Sequence, residues 1–272
     1  MNKNNAETIK QVLQYKDGDW KELTRELIGE EPLLIQVEGN PYAVVMRTIG
    51  DELFHAAGFC LAEGLADRPE DFASIGFCKE MDSNVVTITL NPQRRVKVAH
   101  LLERRGFISQ TSCGICGKEL ICDLQQILKP VSDKTYISVE QAESCVTRLS
   151  ESQKLYRDTG TSHASMIFNS RFEQMSAAED VGRHNALDKA IGKVFMDGKL
   201  SEACVGVMSS RISYELVQKS ARAQIEILIG MSYPTALAVE LADSLNMSIA
   251  CISEKKGFLV FCGQERFGPG KG

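Results

Sequence analysis

From residue 164 onward, short β-rich apolar runs alternate with helix-length amphipathic ones, and this rhythm restricts the fold more than any other feature of the chain. The runs 164–169 and 172–178 bracket Ser170-Arg171 as a hairpin. A helix is predicted over 183–196, with Leu187, Ala190, Ile191, Val194 and Phe195 on one face. Strand 203–208 then precedes helix 213–223, and strand 226–230 precedes helix 234–245. Strands 248–252 and 258–262 complete the pattern. Such alternation predicts parallel pairing, right-handed crossovers and helices covering the sheet, so the fold class is α/β.

The part before it has a different grain. Residues 1–30 are polar with a weak helical start and read as a lead-in segment. Residues 31–110 read as a smaller, β-rich α+β subdomain. Within it, apolar runs around Gly39-Asn40 predict one hairpin, and 75–80 with 85–90 predict another across Met81-Asp82-Ser83-Asn84. Between them, Leu53, Phe54, Ala57, Leu61 and Leu65 lie close to one helical stripe. The basic residues Arg94, Arg95, Lys97, Arg104 and Arg105 read as a solvated face. Residues 111–134 hold a cysteine loop, a short helix and a turn-rich linker, and 135–272 form the α/β domain. Ser138-Val139-Glu140-Gln141 is a capping box that opens a helix running to about Asp158.

Charge and apolar content exclude several classes. A formal net charge of −5 argues against a nucleic-acid binder, and the longest apolar runs fall far short of a membrane span. Residues 1–10 carry no secretory pattern. The nine cysteines are odd in number and scattered, which indicates reduced thiols in a cytoplasmic protein and no disulfide framework.

In an open parallel sheet, ligands sit outside the carboxyl ends of the strands. That rule selects four loops. They hold Asp180, Arg183, His184 and Asn185; Ser210 and Arg211, followed by Tyr214 and Glu215; Met231 and Ser232; and Ile252, Ser253, Glu254, Lys255, Lys256 and Gly257. Helix starts and forked guanidinium donors suit phosphate, while Asp180 and Glu215 suit the donor edge of guanine. Each also has a structural reading: Ser209, Ser213 and Ser232 as helix caps, Asp180 with Arg183 as an ion pair, His184 as a core histidine. Gathered at one sheet edge, they point to a nucleotide-like ligand.

Thr111-Ser112-Cys113-Gly114-Ile115-Cys116-Gly117-Lys118 concentrates the reactive chemistry. Structural zinc needs four ligands, and the chain has no second Cys-x-x-Cys and no histidine pair at ligand spacing. A thioredoxin-like pair would follow the first strand of a βαβ unit, whereas this one follows an irregular basic segment. Zinc deamination needs His-x-Glu and Pro-Cys-x-x-Cys; the chain offers His163-Ala164-Ser165, with Ser112 where the proline belongs. A sulfur relay needs an accessible low-pKa thiol beside a cation or helix start, which Gly114, Gly117 and Lys118 favour.

These residues resemble the FdhD family of sulfur carriers required for formate dehydrogenase activity. The likeness is carried by 111–118, Gly160-Thr161-Ser162-His163-Ala164, Glu179-Asp180-Val181-Gly182-Arg183-His184-Asn185, Ser210-Arg211-Ile212-Ser213-Tyr214-Glu215 and Pro234-Thr235-Ala236. The resemblance implies a three-layer, cytidine-deaminase-like fold for the C-terminal domain without deaminase catalysis. It implies Cys113 as the persulfide site, with Cys116 as partner thiol. Sulfur would pass from a cysteine desulfurase to the molybdenum bis-guanine-dinucleotide cofactor, for apo-formate dehydrogenase, with a guanine nucleotide as mimic and a homodimer as the assembly. A non-catalytic cofactor-binding chaperone is the competing role. The family's C-terminal Gly-Phe-x-Arg-like contact is absent here: the chain reads Cys251-Ile252-Ser253-Glu254, with Lys255 and Lys256 as the nearest cations, and Tyr233 replaces the usual alanine before Pro-Thr.

Overall fold

The structure is a computed structural model that describes residues 7–78, 84–104, 128–253 and 257–268. Its main sheet has six strands in the order β12-β11-β10-β9-β7-β8. These are β7 His163–Asn169, β8 Gln174–Asp180, β9 Ala203–Arg211, β10 Ile227–Ser232, β11 Ser248–Ser253 and β12 Gly257–Cys262. Only β9, β10 and β11 pair in parallel; β7 is antiparallel to both β8 and β9, and β12 to β11. The expected parallel sheet is therefore a mixed one. Tight connections explain it, because a hairpin can only join antiparallel neighbours. Since β7 alone is reversed between β8 and β9, the carboxyl ends of β8, β9, β10 and β11 still share one edge.

Side-chain alternation along these buried strands builds two cores. Met166 and Phe168, Val205 and Val207, and Ile227 and Ile229 point to one face, where α4 Val139–Ser152 covers them with Ala142, Val146 and Leu149. Ile167, Met208, Leu228 and Ile249 point to the other, under α6 Arg183–Met196, α7 Tyr214–Arg222 and α8 Ala236–Ser244. The capping box at Ser138 and Gln141 is formed as predicted. The helix it opens does not run through to Asp158: it stops at Gln153, and α5 Lys154–Thr159 starts again beyond it. The carboxylate of Glu179 accepts the backbone N–H groups of Leu155 and Tyr156, both at 2.9 Å, and so holds the start of α5 separately.

The N-terminal half forms a four-stranded sheet, β4-β3-β6-β5, from β3 Glu31–Val37, β4 Asn40–Arg47, β5 Phe72–Phe77 and β6 Val85–Leu90. Both predicted hairpins are present. The first residues differ from expectation. β1 Glu7–Lys16 and β2 Asp19–Ile28 pair in register as an antiparallel hairpin around Asp17-Gly18, both with positive φ. Asp-Gly is the dipeptide that a tight two-residue turn requires, and it outweighs the polar content of the strands.

The basic stretch also differs at one of its described side chains, while the Arg104 side chain and Arg105 lie outside the described residues. Asn91 caps α2 Pro92–Lys97, which α3 Ala99–Arg104 follows. Arg95 and Lys97 are exposed, but Arg94 is buried. It donates to the carbonyls of Leu65 (2.9 Å) and Gly64 (2.6 Å), just past the helix α1 Glu52–Ala62, and pairs with Asp67. It thereby satisfies polar groups that burial would otherwise strand.

α1 joins the two halves. It lies against α6 so closely that a β-carbon on Gly58 would sit 2.0 Å from the carbonyl oxygen of Asp188, and one on Gly192 would sit 1.9 Å from that of Phe54. One apolar cluster consequently runs from Leu33, Ile35, Val86 and Ile88 through Phe59 and Leu61 to Leu187, Ile191 and Phe195. His55 lies fully buried on α1. Burial above all, then the charges of Lys189, Lys219 and Arg47, hold its pKa well below the ordinary 6.5.

Substituting Gly192→Ala should lower unfolding stability in urea by at least about 2 kcal/mol, because the backbones must separate. An unchanged midpoint would contradict the close contact. His55 supplies a pH test. Its folded pKa is depressed, so its contribution is present above 6.5 and lost as pH falls towards the folded value. The loss of stability between about pH 7 and about pH 5 should be smaller in His55→Leu than in the parent chain; equal losses would remove His55 from this role.

Candidate functional site

The shared carboxyl edge carries two neighbouring features. Around the ends of β8 and β9 lies a cationic patch. Asp180 ends β8 and α6 starts at Arg183; Arg211 ends β9 and α7 starts at Tyr214. Both helix N-termini therefore face this patch and favour an anion. His163, which begins β7 opposite Asp180 in register, joins them. Its pKa is lowered, first by burial and then by the charges of Arg183, His184 and Arg211. Arg183, His184 and Arg211 are thus near enough to act on one imidazole. His184 places Nε2 2.8 Å from Oε2 of Glu215 and 3.3 Å from the hydroxyl of Ser213. The hydrogen bond from His184 holds the Glu215 carboxyl below its usual range, burial opposing it.

Asp180 is a clamp at the base of this patch, not an open acceptor. It is wholly buried, and its Oδ1 accepts the Gly182 N–H (2.8 Å) and the Asn185 amide (2.9 Å). Its Oδ2 accepts the Thr48 N–H (3.1 Å) and meets Nζ of Lys189 at 2.7 Å. Asn185 also donates to the carbonyl of Met46 (2.7 Å), and Lys189 to that of Thr48 (2.7 Å). The guanine edge expected at Asp180 therefore finds both oxygens engaged, and the expected ion pair with Arg183 is replaced by one with Lys189. Asp180 and Asn185 instead tie the start of α6 to the end of β4, which positions Arg183 and His184.

The second feature is a cleft of about 830 Å³ beyond the ends of β10 and β11, lined by Val146, Thr147, Ser150, Glu151, Arg157, Met231, Ile252 and Ser253. Of the predicted residues, Met231, Ile252 and Ser253 come together here. Exposed Ser232 and Gly257 lie at the same edge. Ser210 is buried and donates to the Arg211 carbonyl at 3.1 Å, leaving Arg211 itself exposed. The serines expected as helix caps act otherwise. Ser209 accepts the Ala164 N–H (2.9 Å) within the sheet, Ser213 makes no capping bond, and Thr235 caps α8. Sequence reasoning missed His163 and the α4 and α5 wall of the cleft. His163 had no local signal beyond its motif, because its place depends on strand register.

Cys113, Cys116, Glu254, Lys255 and Lys256 lie outside the described residues. The described Cys60, Cys145, Cys204, Cys251 and Cys262 are buried, and burial pushes their thiols up, Cys145 and Cys262 to about 11. They are packing groups and poor nucleophiles.

The FdhD/NarQ family profile matches residues 28–268. The chain belongs to the FdhD/NarQ family. It is similar to the sulfur carrier protein FdhD of Streptomyces coelicolor, 32% identical over 267 residues, with 94% of each chain covered. Against the sulfur carrier protein FdhD of Saccharolobus solfataricus, the identity is 30% over 262 residues, covering 95% of each. The fold of this FdhD/NarQ chain matches the crystal structure of a protein from Desulfotalea psychrophila described as a formate dehydrogenase accessory protein. That match has a TM-score of 0.77 at 20% identity and covers 97% and 100% of the two chains. Among the described residues of this family member, no helix is long and apolar enough to cross a membrane.

Replacing Asp180 by Ala strands the Lys189 charge in a site where only 2% of its side chain is exposed. Stability measured by denaturant titration should fall by about 3–5 kcal/mol. A loss below about 1 kcal/mol, the value of an exposed pair, would show that the clamp contributes little.

Proposed function

We propose that this chain is a sulfur carrier for formate dehydrogenase maturation. It accepts sulfur from a cysteine desulfurase on Cys113 and delivers it to the molybdenum cofactor in its bis-guanine-dinucleotide form. The observation that carries the reading is the gathering of Arg183, His184, Arg211 and His163 at two helix N-termini on one sheet edge. Such a patch suits the phosphates of a dinucleotide tail, and the adjoining cleft is of nucleotide size. The names of the relatives support the same role. The C-terminal half is read as cytidine-deaminase-like in layering, and the protein as a cytoplasmic homodimer serving apo-formate dehydrogenase.

The chemistry is thiol exchange. The Cys113 thiolate attacks the outer sulfur of the donor's persulfide, the donor S–S bond breaks, and the donor leaves as a thiolate. Cys116 can then supply the two electrons that turn the carried sulfur into sulfide, by closing a disulfide with Cys113 as the sulfide departs. Arg183, Arg211 and the helix starts bind the cofactor, while His184 with Glu215 fixes the geometry of the patch.

Incubation with a desulfurase and cysteine should add about 32 Da per sulfur at Cys113, read by mass spectrometry of the peptide. Cys113→Ala should abolish both the adduct and the activation of formate dehydrogenase. Full activation by Cys113→Ala would favour a chaperone that only holds the cofactor.

A further inference from the structure

We propose that the β1–β2 hairpin is a docking arm for the enzyme that receives the cofactor, its occupant being a cationic, partly apolar surface beside that enzyme's empty cofactor site. This rests on the maturation role proposed above and adds the surface through which the recipient is held. The hairpin has ten residues in each strand, a length of about 33 Å, and among the described residues it pairs with no third strand. Opposite residues of such a pair project from the same face, and so do residues two apart along one strand. Ile9, Leu13, Tyr15 and Trp20 therefore share one face, and they are each 61–66% exposed. Tyr15 and Trp20 stand opposite each other near the turn with ring centroids 5.1 Å apart, so the chain's single tryptophan is held in water as half of an aromatic pair. Exposed apolar side chains gathered on one face, in place of single scattered ones, mark an interaction surface.

Charge selects the partner. On the same face Glu22 stands opposite Leu13 and Glu26 opposite Ile9, so an acidic row on β2 runs beside the apolar row on β1. The cations of the hairpin, Lys10, Lys16, Lys21 and Arg25, all lie on the other face. The occupant that matches carries apolar side chains with lysine or arginine beside them. The two carboxylates disfavour an anionic membrane surface, and a second copy presenting this same face would set carboxylate against carboxylate. Position agrees with charge. β2 lies against α5, the helix that carries Arg157 to the cleft at the carboxyl edge. The arm thus stands next to the sheet edge that takes the cofactor in the reading above, where a recipient must come to collect it. An enzyme built to hold phosphate-bearing tails presents cations around its empty site, and the acidic row attracts them.

Binding of purified, cofactor-free formate dehydrogenase to the full chain, followed by biolayer interferometry, tests the arm. The parent chain should bind, and more weakly as salt is raised. Trp20→Ala should weaken binding by about tenfold or more, as loss of a central aromatic anchor does, and Glu22→Lys with Glu26→Lys by a similar factor while flattening the salt dependence. None of these side chains belongs to either core, so both variants should fold and take up persulfide sulfur on Cys113 as the parent does. Parent affinity in either variant, or no binding by the parent chain, overturns the docking arm; persulfide still formed on Cys113 would leave the carrier reading standing. Because Trp20 is the only tryptophan, its emission without the enzyme reports on the arm alone. A maximum unmoved by dilution is expected, whereas one that shifts to the red as the chain is diluted assigns the face to a second copy and overturns the proposal.

Discussion

The contact on which the architecture depends is the backbone-to-backbone packing of α1 on α6. Helices carrying ordinary side chains pack with their axes well apart, and only glycine lets two main chains approach to van der Waals distance. Gly58 and Gly192 occupy the crossing from opposite sides, each facing a carbonyl oxygen of the other helix. The approach merges the N-terminal sheet and the α6, α7 and α8 face of the main sheet into one apolar cluster, while α4 covers a second core on the opposite face. It also brings His55 and Lys219 into one neighbourhood with the buried pair Asp180 and Lys189.

That neighbourhood links packing to function. Buried charges are tolerated when every partner is in place, and Asp180 has four: Thr48, Gly182, Asn185 and Lys189. Three lie on or just before α6, and Thr48 lies just past β4. The clamp therefore sets where α6 starts relative to the N-terminal sheet, and hence where Arg183 and His184 stand at the edge. A residue that looks like a ligand contact acts one step removed, by holding the residues proposed as contacts.

The edge is divided into two chemistries by the order of the strands. β7, β8 and β9 bring histidines, arginines and helix starts, while β10 and β11 end beneath α4 and α5 in an apolar-floored cleft. A long ligand with anionic and heterocyclic parts can engage both. The thiols of Cys113 and Cys116 belong to the same proposed chemistry, and Cys60, Cys145, Cys204, Cys251 and Cys262 are withheld from it by burial.

By itself the sequence determined the elements. Apolar period located α6 at its observed residues, the capping box opened α4, and the strand-end rule selected loops that share one edge, because these signals are local and each depends on a few neighbouring residues. It even held the signal for the first hairpin in Asp17-Gly18, which polar composition obscured. Tertiary structure alone decided what the polar residues do. Asp180, Arg94 and Ser213 carry the same side chains whether buried or free, and their roles follow from partners far away in the chain: Thr48, Leu65 and His184. The direction of β7, the arrival of His163 beside Arg183 and Arg211, and the α4 wall with Glu151 all follow from long-range packing, for which no short stretch of sequence carries a signal.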